Sequence, residues 1–252
     1  ASNARRARLR HTVPPWRVRN GACQHFYQFE SSRAGGGQPF CESAGRRYKP
    51  DTSVTYGIGQ GAPRGVPLYR TTPYQFVDTK HAAELFSLAK LGNIYTRLMN
   101  PTTHVLESRY AMLEGGHPLS GLCTASGTNA IFYAIINLAQ AGDHVVSSRA
   151  LYGGTYTQFE EILPQFGITV TFVDAEDPQN FVKATTPKTR AWFCESCSNP
   201  ALEICDLEAI CALAHAQNGT GLPVICDSTF STPYLCRPLD HGVDIVVSSL
   251  TK

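Results

Sequence analysis

The stretches PVICD at residues 223–227 and DIVVSSLTK at residues 244–252 each place a short apolar run directly before polar side chains. Three similar apolar runs occur earlier, at 144–147, 168–173 and 191–194. Short continuous apolar runs of this kind are typical of strands that are buried on both faces of a parallel sheet. The sequence therefore predicts five parallel strands, the last two at 223–226 and 244–247.

Helical patterns separate consecutive strands, at about 154–164, 178–185 and 206–217. Alternation of strands and helices predicts an α/β fold with an open, mostly parallel sheet. In such sheets, ligands lie at the carboxyl ends of the strands.

Two further helices are predicted upstream of the strands. One follows Pro101–Thr103, where a threonine is expected to provide the cap, and its apolar face is expected to hold Leu106, Tyr110 and Leu113. The other is a buried helix over 130–138.

Length and composition fit one large folded domain or two small ones. The chain has 252 residues, 42% hydrophobic and 17% charged, with a formal net charge of +2. That near balance gives no reason to expect a nucleic-acid partner. No run approaches the roughly 20 apolar residues of a membrane span, so no membrane partner is expected. We expect a cytoplasmic protein whose nine cysteines are mostly buried thiols.

Residues 1–64 differ from the rest of the chain. Residues 1–50 hold ten Lys or Arg against two Glu, and three glycines stand at 35–37. This composition predicts a mobile extension ahead of a folded region at 65–252. Three interpretations stay open: a transit peptide, which would make the protein mitochondrial, an arm that binds nucleic acid, and an unnatural stretch upstream of a fragment that opens with Ala1 rather than Met.

Polar residues at the predicted element ends are candidates for chemistry. Ala125–Thr128 precede a helix, where backbone N–H groups and the helix dipole favour an anion, although small residues there are more often ordinary caps. Asp227 and Lys252 follow neighbouring strands and would face one crevice. Taken singly, each is more often a cap or a surface charge.

Several motifs occur together in one order: NIYTRLMNPT at 93–102, the anion-type turn, Tyr152-Gly-Gly, Ser-Asn199-Pro, Asp227 and Ser-x-Thr-Lys252. Together they resemble the Cys/Met-metabolism family of fold-type I pyridoxal-phosphate (PLP) enzymes, over about 65–252. The resemblance implies an N-terminal arm and the PLP-binding large domain of an aspartate-aminotransferase-like fold. It also implies a homotetramer, a dimer of catalytic dimers.

The resemblance also implies the roles of individual residues. Lys252 corresponds to the lysine that binds PLP covalently and moves protons, and Asp227 to the carboxylate that pairs with the pyridinium nitrogen. Tyr152 would stack on the ring and act as an acid or base near the leaving group, and Asn199 would bond the phenolic oxygen. The phosphate would be held by Gly127, Thr128, Ser249 and Thr251, with Tyr95 and Arg97 reaching in from a neighbouring subunit.

Within the family, the wording at 93–102 and the residues 85–92 before it look most like the O-acetylhomoserine sulfhydrylases. Methionine γ-lyases usually carry Cys where this chain has Gly154. The implied reaction is a γ-replacement that converts O-acetyl-L-homoserine and sulfide to L-homocysteine and acetate. A cystathionine γ-synthase, which uses cysteine as the nucleophile, or a γ-lyase is the alternative within the family.

Two hypotheses belong to other functional classes. The pattern Cys194-x-x-Cys197 with Cys211-x-x-x-His215 has a spacing that could bind zinc in an interaction module, although core thiols explain it more simply. The other hypothesis is a non-catalytic, truncated member. Family chains continue well past the lysine, into a C-terminal domain with an arginine for the substrate carboxylate. We therefore expect these 252 residues alone to be inactive and poorly soluble.

Overall fold

The computed structural model describes residues 65–252, which divide into two compact units at 65–124 and 125–252. The predicted extension over 1–64 lies outside the described residues. The smaller unit contains α1 (Thr79–Phe86) and α2 (Pro101–Leu113). Within residues 65–252, no helix has both the length and the apolar character needed to cross a membrane.

The cap of α2 differs from the expected one. The Asn100 side chain accepts a hydrogen bond of 2.8 Å from the Thr102 N–H, so the expected threonine cap is wrong. Thr102 instead donates its hydroxyl to the Pro67 carbonyl at 2.7 Å. Asparagine is among the preferred cap residues, and Pro101 at the first helical position lacks an N–H that would need a partner.

The predicted residues do lie on a helix, α2, and Tyr110 is half-buried, but the two leucines are not on the face that packs. Leu106 and Leu113 are 46% and 44% exposed, whereas Val105, Ser108 and Ala111 are buried. Two of the three buried residues are small, so the packed face carries little hydrophobic weight in the sequence. The large leucines lie on the other side of the helix.

The larger unit is built on a five-stranded sheet in the order β2-β1-β3-β4-β5, with every pair of neighbours parallel. Each strand lies within two residues of its predicted position. The strands are β1 (His144–Ser148), β2 (Thr169–Val173), β3 (Thr189–Glu195), β4 (Val224–Asp227) and β5 (Ile245–Val247).

Helices connect the strands, as the alternating pattern predicts. The helix after β1 changes to a π-helical stretch at Gln158–Ile162 and returns to α-helix at Leu163–Gln165. Short 3-10 turns lie at Gln217–Gly219 and Pro238–His241. The α-helices are α3 (Gly127–Leu138), α4 (Gly153–Thr157, continuing as above), α5 (Gln179–Ala184), α6 (Leu207–His215) and α7 (Thr232–Leu235).

Both faces of the sheet are covered by apolar side chains. Trp192 and Phe193 are adjacent in β3 and therefore point to opposite faces of the sheet. Both are fully buried, so both faces are covered. Trp192 packs in a core that includes Ile210 of α6, and Phe193 packs in a second core that includes Ile135 of α3. Burial on both faces explains why the strands appear in the sequence as continuous apolar runs.

The strand order places a switch point between β1 and β3. β1 pairs with β2 on one side and with β3 on the other, so strands are added in opposite directions from this pair. In open α/β sheets, a crevice forms at the carboxyl ends of the strands where the order reverses. A site is therefore expected at the loops that follow β1 and β3.

Candidate active site

The N-terminus of α3 lies against the segment that follows β5. The Ser126 hydroxyl caps α3 by accepting a hydrogen bond of 3.1 Å from the Asn129 N–H. The N–H groups of Gly127 and Thr128 belong to the first helical turn and have no partner within the helix. A Cβ on Gly127 would lie 2.9 Å from the Ser249 Cβ, which makes glycine necessary for this approach. Free N–H groups and the helix dipole favour an anion here.

Asp227, at the end of β4, is joined to this segment through Thr229. The Thr229 N–H donates to Asp227 Oδ1 at 2.8 Å, and the Thr229 hydroxyl accepts from the Ser249 N–H at 2.7 Å. Burial raises the pKa of the Asp227 carboxyl, and the hydrogen bonds from Thr229 oppose that rise. Thr229 was not singled out in the sequence, because a threonine two residues after an acid is common in turns.

Serine hydroxyls support the turn that holds Asp227. The Ser231 hydroxyl lies 2.8 Å from the Ser196 hydroxyl and 2.8 Å from that of Ser228. The Ser196 N–H donates to the Asp227 carbonyl at 2.9 Å. All three serines are buried, so the turn after β4 is fixed to the turn after β3 by a network that water does not weaken.

Tyr152 follows β1 and precedes α4, and its side chain is 53% exposed. Its ring lies over Gly154, where a Cβ would come within 2.6 Å of the Tyr152 Cε1. A side chain at residue 154 would therefore displace the ring. Gly154 sets the position of the exposed aromatic ring at the crevice.

Glu195, the last residue of β3, connects Tyr152 with Asn199. Its Oε1 accepts a hydrogen bond of 2.8 Å from the Tyr152 N–H, and its Oε2 accepts one of 3.1 Å from the Asn199 N–H. Glu195 is only 4% exposed and stands opposite Asp227 in the β3–β4 register. The sequence contains no signal for this role of Glu195, since its partners are backbone groups that no motif reveals.

Loss of the Glu195 proton should change the free energy of unfolding. Burial raises the pKa of its carboxyl to about 7, with the charge of Asp227 adding to the rise and the two N–H bonds opposing it. Between about pH 4.5 and 7 the folded protein holds a proton that the unfolded chain has released, so stability falls as pH rises through this window.

We therefore expect the thermal midpoint of Glu195→Gln, relative to wild type, to rise as the pH increases from about 5 to about 8. Calorimetry of both proteins across this range is the measurement. Glu176→Gln, at an exposed position, should show no such trend. A difference between wild type and Glu195→Gln that does not change with pH would contradict the prediction.

Six predicted site residues are thus connected through Thr229, Glu195 and the neighbouring strand ends. Two others, Thr251 and Lys252, are exposed and follow β5 closely. Tyr95 and Arg97 lie in the smaller unit, where both are exposed and the Arg97 guanidinium is 5.2 Å from the centre of the Tyr95 ring. The connected six are Gly127, Thr128, Tyr152, Asn199, Asp227 and Ser249.

The cysteine and histidine residues of the zinc hypothesis do not form a metal site. Cys194 and Cys211 are buried in the core of the larger unit, and His215 Nε2 lies 2.9 Å from Asp244 Oδ2. Across residues 65–252, no group of three or more His, Cys, Asp or Glu side chains is arranged to hold a metal ion. Cys197 is half-buried in the loop after β3.

A shallow cavity at the opposite, amino-terminal edge of the sheet is a weaker candidate. It is lined by His144, Lys188 and neighbouring threonines. The His144 ring nitrogens lie 2.8 Å and 2.9 Å from the hydroxyls of Thr189 and Thr171, and burial lowers the pKa of the imidazole. Both nitrogens are already used in holding strand ends together, so they are not available to a ligand.

A parallel α/β sheet with free helix N–H groups, a buried acid and an exposed aromatic ring at the carboxyl ends of its strands is typical of α/β proteins that bind an anionic ligand such as a phosphate there. The chain belongs to the Cys/Met metabolism PLP-dependent enzyme family, whose family model matches residues 58–252. The predicted family and fold class are confirmed, and with them the dependence of the family on PLP.

Similar proteins carry related names. The chain is 50% identical over 218 residues to an O-acetyl-L-homoserine sulfhydrylase of Leptospira meyeri, covering 85% of this chain and 48% of that protein. It is 52% identical over 191 residues to O-acetyl-L-homoserine sulfhydrylase 1 of Thermus thermophilus, covering 75% and 44%. The chain thus spans about half the length of the curated relatives it matches.

A solved structure from Campylobacter jejuni is also similar. That protein is a candidate O-acetylhomoserine (thiol)-lyase and contains an N'-pyridoxyl-lysine-5'-monophosphate. The likeness has a TM-score of 0.70 at 45% identity and covers 74% of this chain and 45% of the other. At this identity, the likeness supports a common fold over the part that is covered.

Proposed function

We propose that the protein catalyses a PLP-dependent γ-replacement in which O-acetyl-L-homoserine and sulfide give L-homocysteine and acetate. One observation supports the proposal above all: the α3 N-terminus, Asp227 and Tyr152 all lie at the carboxyl ends of the strands of the larger unit. The names of relatives at 50% and 52% identity support the choice of substrate and nucleophile.

The residues of this edge suit PLP. A side chain at residue 127 would collide with Ser249, so glycine is required there. The N–H groups of Gly127 and Thr128 have no partner within the helix and would donate to a phosphate. The Asp227 carboxylate would pair with the protonated ring nitrogen, and that cation would offset the cost of a buried charge. When bound, PLP supplies an electron sink for the carbanion formed from an amino-acid substrate.

The other assignments follow from position and residue chemistry. Tyr152, exposed at the crevice, would cover one face of the ring and hold or release a proton near the leaving acetate. Lys252 would bind the cofactor through Nζ and carry protons to and from the substrate. Asn199 would donate to the phenolic oxygen, and the hydroxyls of Ser249 and Thr251 would complete the phosphate contacts.

The proposed assembly is a homo-oligomer, a dimer of catalytic dimers. Tyr95 and Arg97 are exposed in the smaller unit, and a guanidinium suits a phosphate because its fork binds two oxygens and is always charged. We propose that these two residues complete the phosphate site of a neighbouring subunit. The seven cysteines within residues 65–252 are free thiols, which supports a reducing compartment such as the cytoplasm.

The reaction is tested by incubating the PLP-loaded whole protein with O-acetyl-L-homoserine and sulfide, because these 252 residues alone are expected to be inactive. We expect equal amounts of homocysteine and acetate, and competition between sulfide and cysteine in which sulfide is preferred. Preferential formation of cystathionine would instead identify a cystathionine γ-synthase, and release of ammonia with a keto acid would identify a γ-lyase. A protein that binds no PLP would contradict the proposal altogether.

Gly127→Ala tests the phosphate site. The added Cβ would press on Ser249 and displace its hydroxyl and the α3 N–H groups from the phosphate. Loss of about 1.4 kcal/mol of binding free energy, the worth of about one hydrogen bond, would raise the Kd for PLP about tenfold. Fluorescence titration of the apoprotein with PLP measures this. Gly153→Ala is the matched control, because no atom lies within 4 Å of the added Cβ at that helix start. Equal effects of the two substitutions would count against the phosphate site.

A further inference from the structure

We propose that Glu195 is a positioning residue for the γ-replacement. It fixes Tyr152 and Asn199 relative to each other across the switch point between β1 and β3. The inference rests on the proposed function. It concerns a residue that touches neither substrate nor cofactor in the assignments above and acts through the two loops that it joins.

Glu195 forms a clamp, by which we mean its two hydrogen bonds to the backbone N–H groups of Tyr152 and Asn199. Tyr152 follows β1 and Asn199 follows β3, so the two loops flank the point where the crevice forms. Glu195 accepts from the backbone N–H of each, at 2.8 Å and 3.1 Å. The carboxyl is almost completely buried, and above its pKa of about 7 it is ionised, so that both hydrogen bonds become shorter and stronger than neutral ones.

Each loop also has its own internal support. The Thr155 N–H donates to the Tyr152 carbonyl at 2.9 Å, which joins Tyr152 to α4. The Ser198 N–H donates to the Glu203 carbonyl at 2.9 Å, which closes the loop that contains Asn199. These bonds lie within each loop, whereas the two bonds to Glu195 join one loop to the other.

A carboxylate is the appropriate side chain for this connection. Both partners are N–H donors, so the clamp requires two acceptor oxygens, and an amide offers only one. An aspartate is one methylene shorter and cannot keep both contacts. The chain retains this second acid directly beside Asp227, although burial and repulsion disfavour its charge. Perturbed acids of this kind cluster at functional sites.

The test compares Glu195→Gln and Glu195→Asp with wild-type holoenzyme. We expect kcat to fall about 10- to 100-fold in both variants, because small displacements of reacting groups have effects of this size. The absorption spectrum of bound PLP should change as well, since Asn199 contacts its phenolic oxygen in the proposed site. Glu176→Gln, an exposed control, should change neither.

Hydrogen exchange of the apoprotein provides a readout that does not depend on the reaction. The amides around Tyr152 and Asn199 should exchange faster in both variants, with the rest of the larger unit unchanged. Unfolding of the whole unit in both variants would assign Glu195 to folding alone and overturn the proposal.

Two further outcomes would also overturn the role of Glu195. Normal kcat with altered exchange would show that the clamp does not matter for the reaction, and normal kcat in Glu195→Asp alone would show that only the charge matters. A wild-type protein without bound PLP, or one that forms no homocysteine, would instead overturn the proposed function on which the inference rests, so the two failures are distinguishable.

Discussion

Lys252→Ala is expected to reduce turnover of the holoenzyme by about 10³-fold or more, and to abolish covalent attachment of PLP. The amine would both bind the cofactor and carry protons, and positioned proton transfer alone contributes about 10²–10⁴-fold. Borohydride reduction followed by peptide mass analysis measures attachment directly. A phosphopyridoxyl mass should appear on the Lys252 peptide of the wild type and be missing from the variant.

The position of Lys252 in the structure supports this expectation. It stands three residues after Ser249, which touches the α3 terminus, and three residues span at most about 11 Å. A long, flexible side chain could then reach a cofactor whose phosphate is bound at that terminus, as proposed.

Lys188→Ala is the control for this experiment. Lys188 is also exposed, and its carbonyl bonds the N–H of His144 at the amino-terminal edge of the sheet. Its loss should leave both labelling and turnover unchanged. A labelled lysine elsewhere in the wild type, or near-normal turnover in Lys252→Ala, would refute the assignment.

The strands were predictable because burial on both faces leaves a mark in the sequence. The run that became β4 is apolar up to Asp227, and the acid marks the carboxyl end of the strand. The parallel direction of neighbouring strands could also be predicted, since connecting helices favour parallel pairs, whereas their order in the sheet could not. The ends of strands could therefore be named as candidate site positions without coordinates.

The faces and supports of the elements were less predictable. In α2, the large Leu106 and Leu113 suggested the packed face, yet the small Ser108 and Ala111 are the ones buried. Periodicity gives the spacing of a face but not which face meets a neighbour. Glu195 was missed for a related reason: its partners are backbone N–H groups, one of them 43 residues away, and backbone groups have no identity in the sequence.

Asp227→Asn is expected to lower kcat of the holoenzyme by about 10²–10³-fold, the usual effect of removing one preorganised electrostatic contact. Asparagine keeps the shape and can still accept the bond from the Thr229 N–H, but it cannot hold the ring nitrogen in its protonated form. Steady-state kinetics and PLP titration measure the loss. Asp177→Asn, an exposed acid beside Lys183, should have no effect on either.

Asp227→Asn should stabilise the apoprotein, although it lowers kcat of the holoenzyme. Burial raises the pKa of the Asp227 carboxyl, so its ionisation at neutral pH opposes folding when no cation is bound. The sign follows from linkage: the penalty is absent below the pKa of the unfolded chain, near 4, and is fully present above the folded pKa. Asp227→Asn should therefore raise the thermal midpoint of the apoprotein at neutral pH and leave it nearly unchanged in acid. Lower kcat with a more stable apoprotein would mark Asp227 as an acid kept for catalysis at the expense of stability, whereas loss of both would reduce it to a structural residue.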